Sequence, residues 1–273
     1  MPEGPELKHS RDVLRKVILN QDVTRLETLK EGRYHTTEPS GLSSTQVELP
    51  LRVEAIDTKG KFMWWTLKSQ TSTWYMWITY GMSGQWSKAF TKHSSFLVEY
   101  AGSKLLYFVD PRRFGTIKFT KDPLEHARKL ASLGPDILED PPFASEVFAE
   151  RVLMKPHRTI AEALMDQSCI SGVGNYLKAE ALFRAGVSPH RIVTDLESQE
   201  ILKLWSEVIL TCRESYADQG ASLRTYKTVT GDKGTAQFEF RIYSRQNCPM
   251  GHEVRREETL DKRTSWWCPI CQK

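Results

Sequence analysis

The spacing of apolar residues changes along the chain, and the first segment has the period of a helix. The stretch LKHSRDVLRKVI, which follows Pro5 and Glu6, places four apolar residues on or near one face. These residues are Leu7, Leu14, Val17 and Ile18. Proline and acidic residues suit a helix N-terminus, for geometric and dipole reasons. The pattern predicts an amphipathic helix close to the N-terminus.

Between about Leu51 and Phe119 the apolar segments are short and rich in aromatic and β-branched residues, which is typical of β-strands. The segments are RVEAID, KFMWWTL, TWYMWITY, SFLVEY, KLLYFVD and GTIKF. Turns such as AGSK separate them, and no helical segment lies between them. Strands this close together indicate an antiparallel sandwich or barrel.

The second half of the chain returns to a helical period. The stretch LASLGPDILEDPPF is rich in prolines and acids, which is typical of a linker. The helices predicted after it are TIAEALMDQ, NYLKAEALFRAG and ESQEILKLWSEVILTCRESYAD. We therefore predict an α+β multidomain protein. Its parts are a β domain with a leading helix at 1–125, a linker at 126–150, a helical domain at 151–237 and a metal hairpin at 238–273.

Composition limits the class of protein. The net charge of +4 and the pI near 8.7 are compatible with a polyanionic partner. No stretch approaches the roughly 20 apolar residues that a membrane helix needs, and no signal peptide begins the chain. We therefore expect an intracellular, monomeric protein without a membrane partner, in a compartment that the sequence leaves open. Its five cysteines are then reduced rather than paired in disulfides.

Four residues of the tail have the spacing of a zinc site. Cys248 and His252 form a C-x3-H pair, and Cys268 and Cys271 form a C-x2-C pair. Structural Zn²⁺ takes four such ligands in a closed tetrahedron, and one ion could fold a hairpin too short for its own core. The alternative is that these are ordinary core or surface residues. The hairpin is also basic, so a phosphate backbone is a natural target.

A glycine-rich turn separates two predicted helices in DQSCISGVGNYLKAEALFRAG. The first helix ends near Gln167 and the second starts around Asn175. Glycines allow backbone amides to approach a ligand closely, and helix N-termini bind phosphate. The alternative is a plain corner between two helices.

Two turns of the β domain present side chains that suit DNA. Met82 lies in YGMSGQW, and Arg112 and Phe114 lie in DPRRFG. An exposed Met, Arg and Phe are the residue types that wedge into a base stack; the alternative is ordinary turn residues with one packed aromatic. Lys61, in TKGKFMWW, could reach a phosphate or could be a solvated lysine.

The N-terminal sequence MPEGPE suggests covalent chemistry. Pro2 is small enough to permit removal of Met1, which would leave a secondary amine at the terminus. An α-amino group has a pKa of about 8 and is more often neutral than lysine, and amines form Schiff bases with carbonyl-like carbons. Glu3 and Glu6 could move protons beside it. An amine, an acid, a phosphate-binding turn and a base wedge together suggest removal of a base from DNA.

The motifs occur in an order that resembles one known family. MPEGPE, KGK, GMSG, DPRRFG, LGPD, GVGNY and the C-terminal zinc hairpin follow the order of the formamidopyrimidine-DNA glycosylase / endonuclease VIII family, from Met1 to Lys273. MPEGPE resembles the endonuclease VIII branch, whereas GMSG and DPRRFG resemble the formamidopyrimidine branch. The resemblance implies a β-sandwich, a helical domain with a helix–two-turn–helix element and a zinc-finger β-hairpin. It also implies damaged double-stranded DNA as the partner and one structural Zn²⁺ as the cofactor.

The resemblance further implies the roles of the catalytic residues. Pro2 would attack the sugar C1′ of a nucleotide flipped out of the stack. β- and δ-elimination would then cut the strand on both sides of the sugar. Glu3 would act as general acid and proton shuttle, and Glu6 would support the site. Lys61 would act in catalysis and would also contact a phosphate.

The other implied contacts are with DNA and with the lesion. Asn175 and Arg263 match phosphate contacts. The residues that match the trio filling the gap left by the flipped base are Met82, Arg112 and Phe114. The loop SLRTYKTVTGDKGTAQ lies where family members touch the lesion.

The first zinc pair departs from the family pattern. The usual pair is C-x2-C, but Gly251 occupies the position of the second cysteine and His252 comes one residue later. Because imidazole reaches further than a thiolate, a Cys-His-Cys-Cys site is feasible.

The sequence leaves the substrate open. We expect a bifunctional DNA glycosylase and AP lyase acting on oxidised pyrimidines and formamidopyrimidines, because MPEGPE resembles endonuclease VIII. The alternatives are an enzyme that prefers 8-oxoguanine and a non-catalytic damaged-DNA binding protein of the same fold. A tautomerase-like enzyme also uses an N-terminal proline, but such subunits are small and need neither a zinc hairpin nor basic turns.

Overall fold

The computed structural model describes residues 2–29, 33–34, 36–221 and 239–273. These residues form two compact units. The first contains Pro2 and Glu6–Ala131, and the second contains Glu3–Pro5, Ser132–Ala221 and residues 239–273.

The helices and strands within these ranges have the following bounds. The α-helices are α1 (Gly4–Ile18), α2 (Leu42–Gln46), α3 (Pro123–Ala131), α4 (Ser145–Leu153), α5 (Ile160–Met165), α6 (Asn175–Ala185) and α7 (Ser198–Ala217), with a 3₁₀ turn at Val193–Asp195. The strands are β1 (Asp22–Thr28), β2 (Leu51–Lys59), β3 (Phe62–Lys68), β4 (Thr73–Thr79), β5 (Gln85–Ser87), β6 (Ser94–Tyr100), β7 (Lys104–Val109), β8 (Thr116–Thr120), β9 (Arg255–Glu258) and β10 (Thr264–Trp267).

The first unit is built on one antiparallel sheet that folds back on itself. Its strand order is β5-β7-β6-β1-β2-β3-β4-β8, and β1 and β2 are joined by only two residue pairs. Trp65 of β3 lies 5.0 Å from Trp86 of β5, measured between ring centroids, although these strands are far apart in the order. Phe96 of β6 and Phe119 of β8 are likewise 6.1 Å apart. The two halves of the sheet therefore face each other, which confirms the predicted β-sandwich.

Helix α1 packs on the core of this unit. Leu7, Leu14 and Ile18 are fully buried in the same cluster as the strand residues. The hydroxyl of Ser10 lies 2.5 Å from that of Tyr80, which gives both buried groups a hydrogen bond. The amphipathic pattern predicted at the N-terminus is confirmed because its apolar face is the buried face.

The second unit is arranged around helix α6. Nearly every side chain of this helix is buried: Tyr176, Leu177, Lys178, Ala179, Glu180, Ala181, Leu182 and Ala185. A helix buried on all sides is a central core element. Helix α5 and the glycine turn precede it, so the helix–two-turn–helix element is confirmed. Strands β9 and β10 form the predicted hairpin near the C-terminus.

The structure adds elements that the apolar pattern did not predict. Strands β1 and β5 and helices α2, α3 and α4 were absent from the prediction. Strand β5 has three residues, and α3 and α4 lie within or beside the segment predicted as a linker. The domain boundaries at 125, 150 and 237 stay predictions. Among the described residues, no helix combines the length and apolar character needed to cross a membrane.

Candidate functional site

The carboxylate of Glu3 is held at the first turn of helix α6. Its side chain is buried, and its two oxygens accept hydrogen bonds from the backbone N–H groups of Tyr176 at 3.0 Å and Leu177 at 3.3 Å. The first N–H groups of an α-helix have no preceding turn to bond to, and the Glu3 carboxylate accepts from two of them here. The positive end of the helix dipole also favours a negative charge there. The motif GVGN, predicted to bind phosphate, thus holds a carboxylate of the chain itself.

The glycine turn is shaped for this close approach. Gly174 has an extended backbone that any residue can adopt, yet a Cβ placed on it would lie 2.2 Å from Cδ of Glu3. The N–H of Gly4 donates to the carbonyl of Gly172 at 3.0 Å. Gly172 has a φ of +110°, which favours glycine. These contacts fix the side chain of Glu3 and the backbone that follows it.

Gln167 stabilises the same turn, and the sequence analysis did not assign it a role. Its Oε1 accepts from the N–H of Gly172 at 3.0 Å. Its Nε2 lies within hydrogen-bond distance of the carbonyls of Val173, at 3.0 Å, and Met165, at 3.1 Å. One amide side chain therefore links the end of α5 to the turn that receives Glu3.

The other residues predicted to be catalytic belong to the first unit. Pro2 and Glu6 are buried, and Glu6 lies in the first turn of α1. Lys61 is half-buried in the turn between β2 and β3. Pro2 is covalently bonded to Glu3, so the nitrogen predicted to be the nucleophile is one residue from the carboxylate described above.

The turns GMSG and DPRRFG are joined by a buried polar network. The Asp110 carboxylate accepts from the hydroxyl of Ser83 at 2.5 Å and from the N–H of Gly115 at 2.6 Å. The N–H of Arg112 donates to the same hydroxyl at 3.0 Å. Asp110 and Ser83 are 3% and 6% exposed, so these hydrogen bonds are shielded from water. One aspartate thereby fixes both turns.

The three residues predicted to fill the space of a flipped base lie on these turns. Nη1 of Arg112 is 3.5 Å from the sulfur of Met82. Phe114 is 56% exposed, which is unusual for a large aromatic side chain. Gly81 packs so closely on the backbone of Phe114 that a Cβ would lie 2.7 Å away. The structure thus places Met82 in contact with Arg112 and leaves the Phe114 ring accessible.

Asn175 and Arg263 are connected through the hairpin. Nδ2 of Asn175, the first residue of α6, donates to the carbonyl of Thr264 at 2.8 Å. Thr264 follows Arg263, whose side chain is exposed in the turn between β9 and β10. The two predicted phosphate contacts of this unit therefore lie on neighbouring elements.

Two charged residues of α6 that the sequence analysis missed hold the tail in place. Nζ of Lys178 is 2.5 Å from Oδ2 of Asp261, and both side chains are almost fully buried. Burial lowers the pKa of Lys178, and the carboxylates of Asp261 and Glu3 oppose that shift. The Glu180 carboxylate accepts from the backbone N–H groups of 241–243 at distances from 2.8 to 3.1 Å.

The four predicted metal ligands lie together at the end of the hairpin. The potential donor atoms of Cys248, His252, Cys268 and Cys271 are all within 4.8 Å of one another. Sγ of Cys248 is 3.7 Å from Nδ1 of His252 and 3.9 Å from Sγ of Cys271. A tetrahedral ion with a metal–sulfur bond of about 2.3 Å requires a sulfur–sulfur distance of about 3.8 Å. The donor set therefore fits a metal ion.

Gly251 lets His252 take the fourth position. Its φ is +83°, and a Cβ there would meet no atom within 4 Å, so glycine is required for conformation and not for space. The N–H of Gly251 donates to the carbonyl of Cys248, and the N–H of Cys248 donates to that of His252, each at 2.9 Å. This tight turn compensates for the extra residue in C-x3-H. The loop SLRTYKTVTGDKGTAQ, at 222–237, lies outside the described residues.

A β-sandwich, a helix–two-turn–helix unit and a hairpin with a potential metal site together indicate the helix–two-turn–helix class of DNA glycosylases. Two family models match the chain. The formamidopyrimidine-DNA glycosylase N-terminal domain matches residues 1–117, and the formamidopyrimidine-DNA glycosylase H2TH domain matches residues 133–227. A formamidopyrimidine-DNA glycosylase of Bdellovibrio bacteriovorus is 32% identical over the full length of both chains.

Solved structures show the same fold. The crystal structure of the MutM (Fpg) protein from Thermus thermophilus has a TM-score of 0.84 and 28% identity, covering 99% of this chain and 98% of that chain. A mutant Fpg from Lactococcus lactis, in complex with DNA containing Fapy-dG, has a TM-score of 0.87 at 23% identity, with both chains covered completely. The chain belongs to the formamidopyrimidine-DNA glycosylase family, a family of N-glycosylases that remove damaged bases in base excision repair.

Proposed function

We propose that the protein is a bifunctional DNA glycosylase and AP lyase that excises oxidised bases through its N-terminal proline. The observation that carries the proposal is the buried Glu3 carboxylate, fixed at the N-terminus of α6 and covalently adjacent to Pro2. A proton-transfer group must be held rigidly beside the reacting atoms to be effective.

The first step replaces one bond at the sugar by another. Once Met1 is removed, the lone pair of the Pro2 nitrogen attacks C1′ of the flipped nucleotide, and the N-glycosyl bond breaks. The departing base takes the bonding electrons and is released after protonation. Glu3 takes up the proton that the Pro2 nitrogen loses and donates it to the ribose ring oxygen, so the ring opens and the C1′–nitrogen bond becomes an iminium ion. Glu6, buried in the first turn of α1, supports the site.

The second stage cuts the strand. The iminium acidifies the C2′ proton, and its removal expels the 3′ phosphate in β-elimination. A further proton loss expels the 5′ phosphate in δ-elimination. Water then hydrolyses the iminium ion, which returns Pro2 to the free amine. Glu3 can accept and return these protons because its side chain can be either an ionised carboxylate or a protonated carboxylic acid.

The residues proposed to contact DNA are exposed or half-buried polar side chains and side chains on two turns of the β-sandwich. Lys61, Asn175 and Arg263 would bind backbone phosphates, which fix register without reading sequence. The trio that would occupy the space left by the flipped nucleotide is Met82, Arg112 and Phe114. Its support is the accessible Phe114 ring and the network of Asp110 that fixes both turns.

The metal is proposed to be one structural Zn²⁺. Three thiolates and one imidazole are the ligands that zinc prefers, and four protein ligands leave no open position for catalysis. Cys248, His252, Cys268 and Cys271 would hold it. The ion would stabilise the hairpin that presents Arg263.

The preferred lesion is proposed to be an oxidised pyrimidine or a formamidopyrimidine. The MPEGPE start supports the first group, and the Fapy-dG bound to the Lactococcus lactis relative supports the second. An 8-oxoguanine preference is the second candidate, favoured by GMSG and DPRRFG. A panel of these lesions in matched duplexes, compared by kcat/KM, separates the candidates.

Borohydride trapping tests the chemistry. Reduction of the iminium would join the protein covalently to lesion-containing duplex, and Pro2→Gly should lose most of this adduct. Glu3→Gln should lose base excision and retain some cleavage at a preformed abasic site. No adduct with the wild type, or an undiminished adduct with Pro2→Gly, would reject the mechanism. Tight lesion binding without any cleavage would identify a non-catalytic binding protein.

A further inference from the structure

The ion pair between Lys178 and Asp261 is buried in the second unit. The two side chains are 0% and 2% exposed, and Nζ of Lys178 also donates to Oγ of Ser265 at 2.8 Å. Removing two charges from water costs free energy, and well-packed apolar residues often give equal or greater stability. The fold alone therefore does not explain why a lysine and an aspartate occupy this position.

Asp261 organises the turn that carries Arg263. Its Oδ1 accepts from the N–H of Arg263 at 3.3 Å and lies 2.5 Å from Oγ1 of Thr259. The N–H of Thr259 donates to the carbonyl of Arg263 at 3.0 Å. Lys262, between Asp261 and Arg263, has a φ of +57°, which is unfavourable for a lysine without such support. The backbone position of Arg263 therefore depends on where the Asp261 carboxylate lies.

Helix α6 fixes this turn at two places. Lys178 holds the Asp261 carboxylate, and Asn175 donates to the carbonyl of Thr264 at 2.8 Å. Residues three apart lie on the same face of a helix, so both contacts come from one face of α6. Arg263 is thus held from both sides by the helix whose first turn binds Glu3.

We propose that Lys178 is a positioning residue that acts through Asp261 to hold Arg263 where it reaches a DNA phosphate. The inference rests on the proposed function, because it takes Arg263 to be a phosphate contact. The side chain of Lys178 is fully buried and is therefore not available to bind a phosphate itself. Its effect on DNA affinity should therefore be mediated entirely by Arg263.

The test measures DNA affinity without catalysis. The probe is a duplex containing a tetrahydrofuran abasic-site analogue, and fluorescence anisotropy gives Kd at several salt concentrations. Lys178→Met should weaken binding about tenfold, as expected for loss of one charged hydrogen bond, and should reduce the log–log salt slope by about 0.9. Lys178→Met combined with Arg263→Ala should bind no more weakly than Arg263→Ala alone, because both changes remove the same contact.

Two further variants separate positioning from folding. Lys178→Met leaves a buried aspartate without its counter-ion and could unfold the hairpin, whereas Lys178→Met with Asp261→Leu removes both charges. This folded double variant should still lose affinity and salt slope. Glu214→Gln is the control, because it breaks another ion pair of α6, that of Arg184 with Glu214 at 2.6 Å. It should leave the salt slope unchanged.

The outcomes distinguish this inference from the proposed function. Wild-type affinity and salt slope in the variant that combines Lys178→Met with Asp261→Leu would overturn the positioning role. Losses of affinity that add up when Lys178→Met is combined with Arg263→Ala would also overturn it. If those variants behave as expected but the wild type gives no borohydride adduct, the inference stands and the catalytic mechanism fails. If the adduct forms and the Lys178 variants bind like the wild type, only the inference fails.

Discussion

Gly174 and Glu3 approach each other so closely that a side chain at position 174 would displace the Glu3 carboxylate. A Cβ on Gly174 would lie 2.2 Å from Cδ and 2.4 Å from Oε1 of Glu3. Because the backbone of Gly174 is extended, its glycine is needed for space and not for conformation. The glycine turn and the N-terminal carboxylate therefore form one structural unit.

Gly174→Ala should displace Glu3 and reduce base excision. A misplacement of about 1 Å in a catalytic group can lower the rate about 10²-fold, so we expect a loss of that order in single-turnover excision. Gly102→Ala is a suitable control, because Gly102 has a positive φ but meets no atom within 4 Å. Wild-type excision by folded Gly174→Ala would contradict the role assigned to Glu3.

His252→Ala should release the metal, whereas His252→Cys should retain it. The alanine variant leaves three ligands, and a structural zinc site needs four. Metal analysis should find one zinc per wild-type chain and almost none in His252→Ala, with weaker DNA binding. His190 lies outside the metal cluster and pairs with Glu257, so His190→Ala should keep the ion. Full zinc occupancy in His252→Ala would show that the ligand assignment is wrong.

Asp110→Ala should disturb both turns of the sandwich. It would leave the hydroxyl proton of Ser83 and the N–H of Gly115 without their acceptor, and each lost acceptor costs about 1–3 kcal/mol. We expect a lower free energy of unfolding and less base flipping. The fluorescence of 2-aminopurine placed at the target position measures the flipping. Phe114→Ala should reduce flipping while unfolding at the same urea concentration as the wild type. Normal base flipping in both variants would show that these turns do not fill the space left by the flipped nucleotide.

Asp166→Asn should lower stability at neutral pH and have no effect in strong acid. Burial alone would raise the pKa of Asp166, but hydrogen bonds from Ser168 and Lys155 outweigh it and lower the pKa to about 2. A carboxylate with a depressed pKa stabilises the fold above its ordinary pKa of 3.8, and this contribution is lost as the pH falls towards 2. The Tm difference from the wild type should therefore be constant above about pH 5 and shrink below about pH 4. A difference that is independent of pH would contradict this reasoning.

The sequence predicted most of the elements and the metal-ligand spacing but not the contacts that position them. Six of the seven strands between Leu51 and Thr120, the helices around the glycine turn and the metal-ligand spacing were all visible as local patterns. Lys178, Glu180 and Gln167 were not identified. Lys178 and Glu180 appear in the sequence as ordinary polar positions of a helix, and their partners are 83 and at least 61 residues away. Strand β1 was missed because its burial alternates irregularly.

Helix α6 serves three tasks with eleven residues. Its first amides bind the carboxylate next to Pro2, one face secures the turn of Arg263, and Glu180 anchors the backbone that leads into the metal hairpin. A small rotation about the axis of α6 would move all three at once. Substitutions of the buried apolar residues that hold α6 in place should consequently lower excision and DNA affinity together.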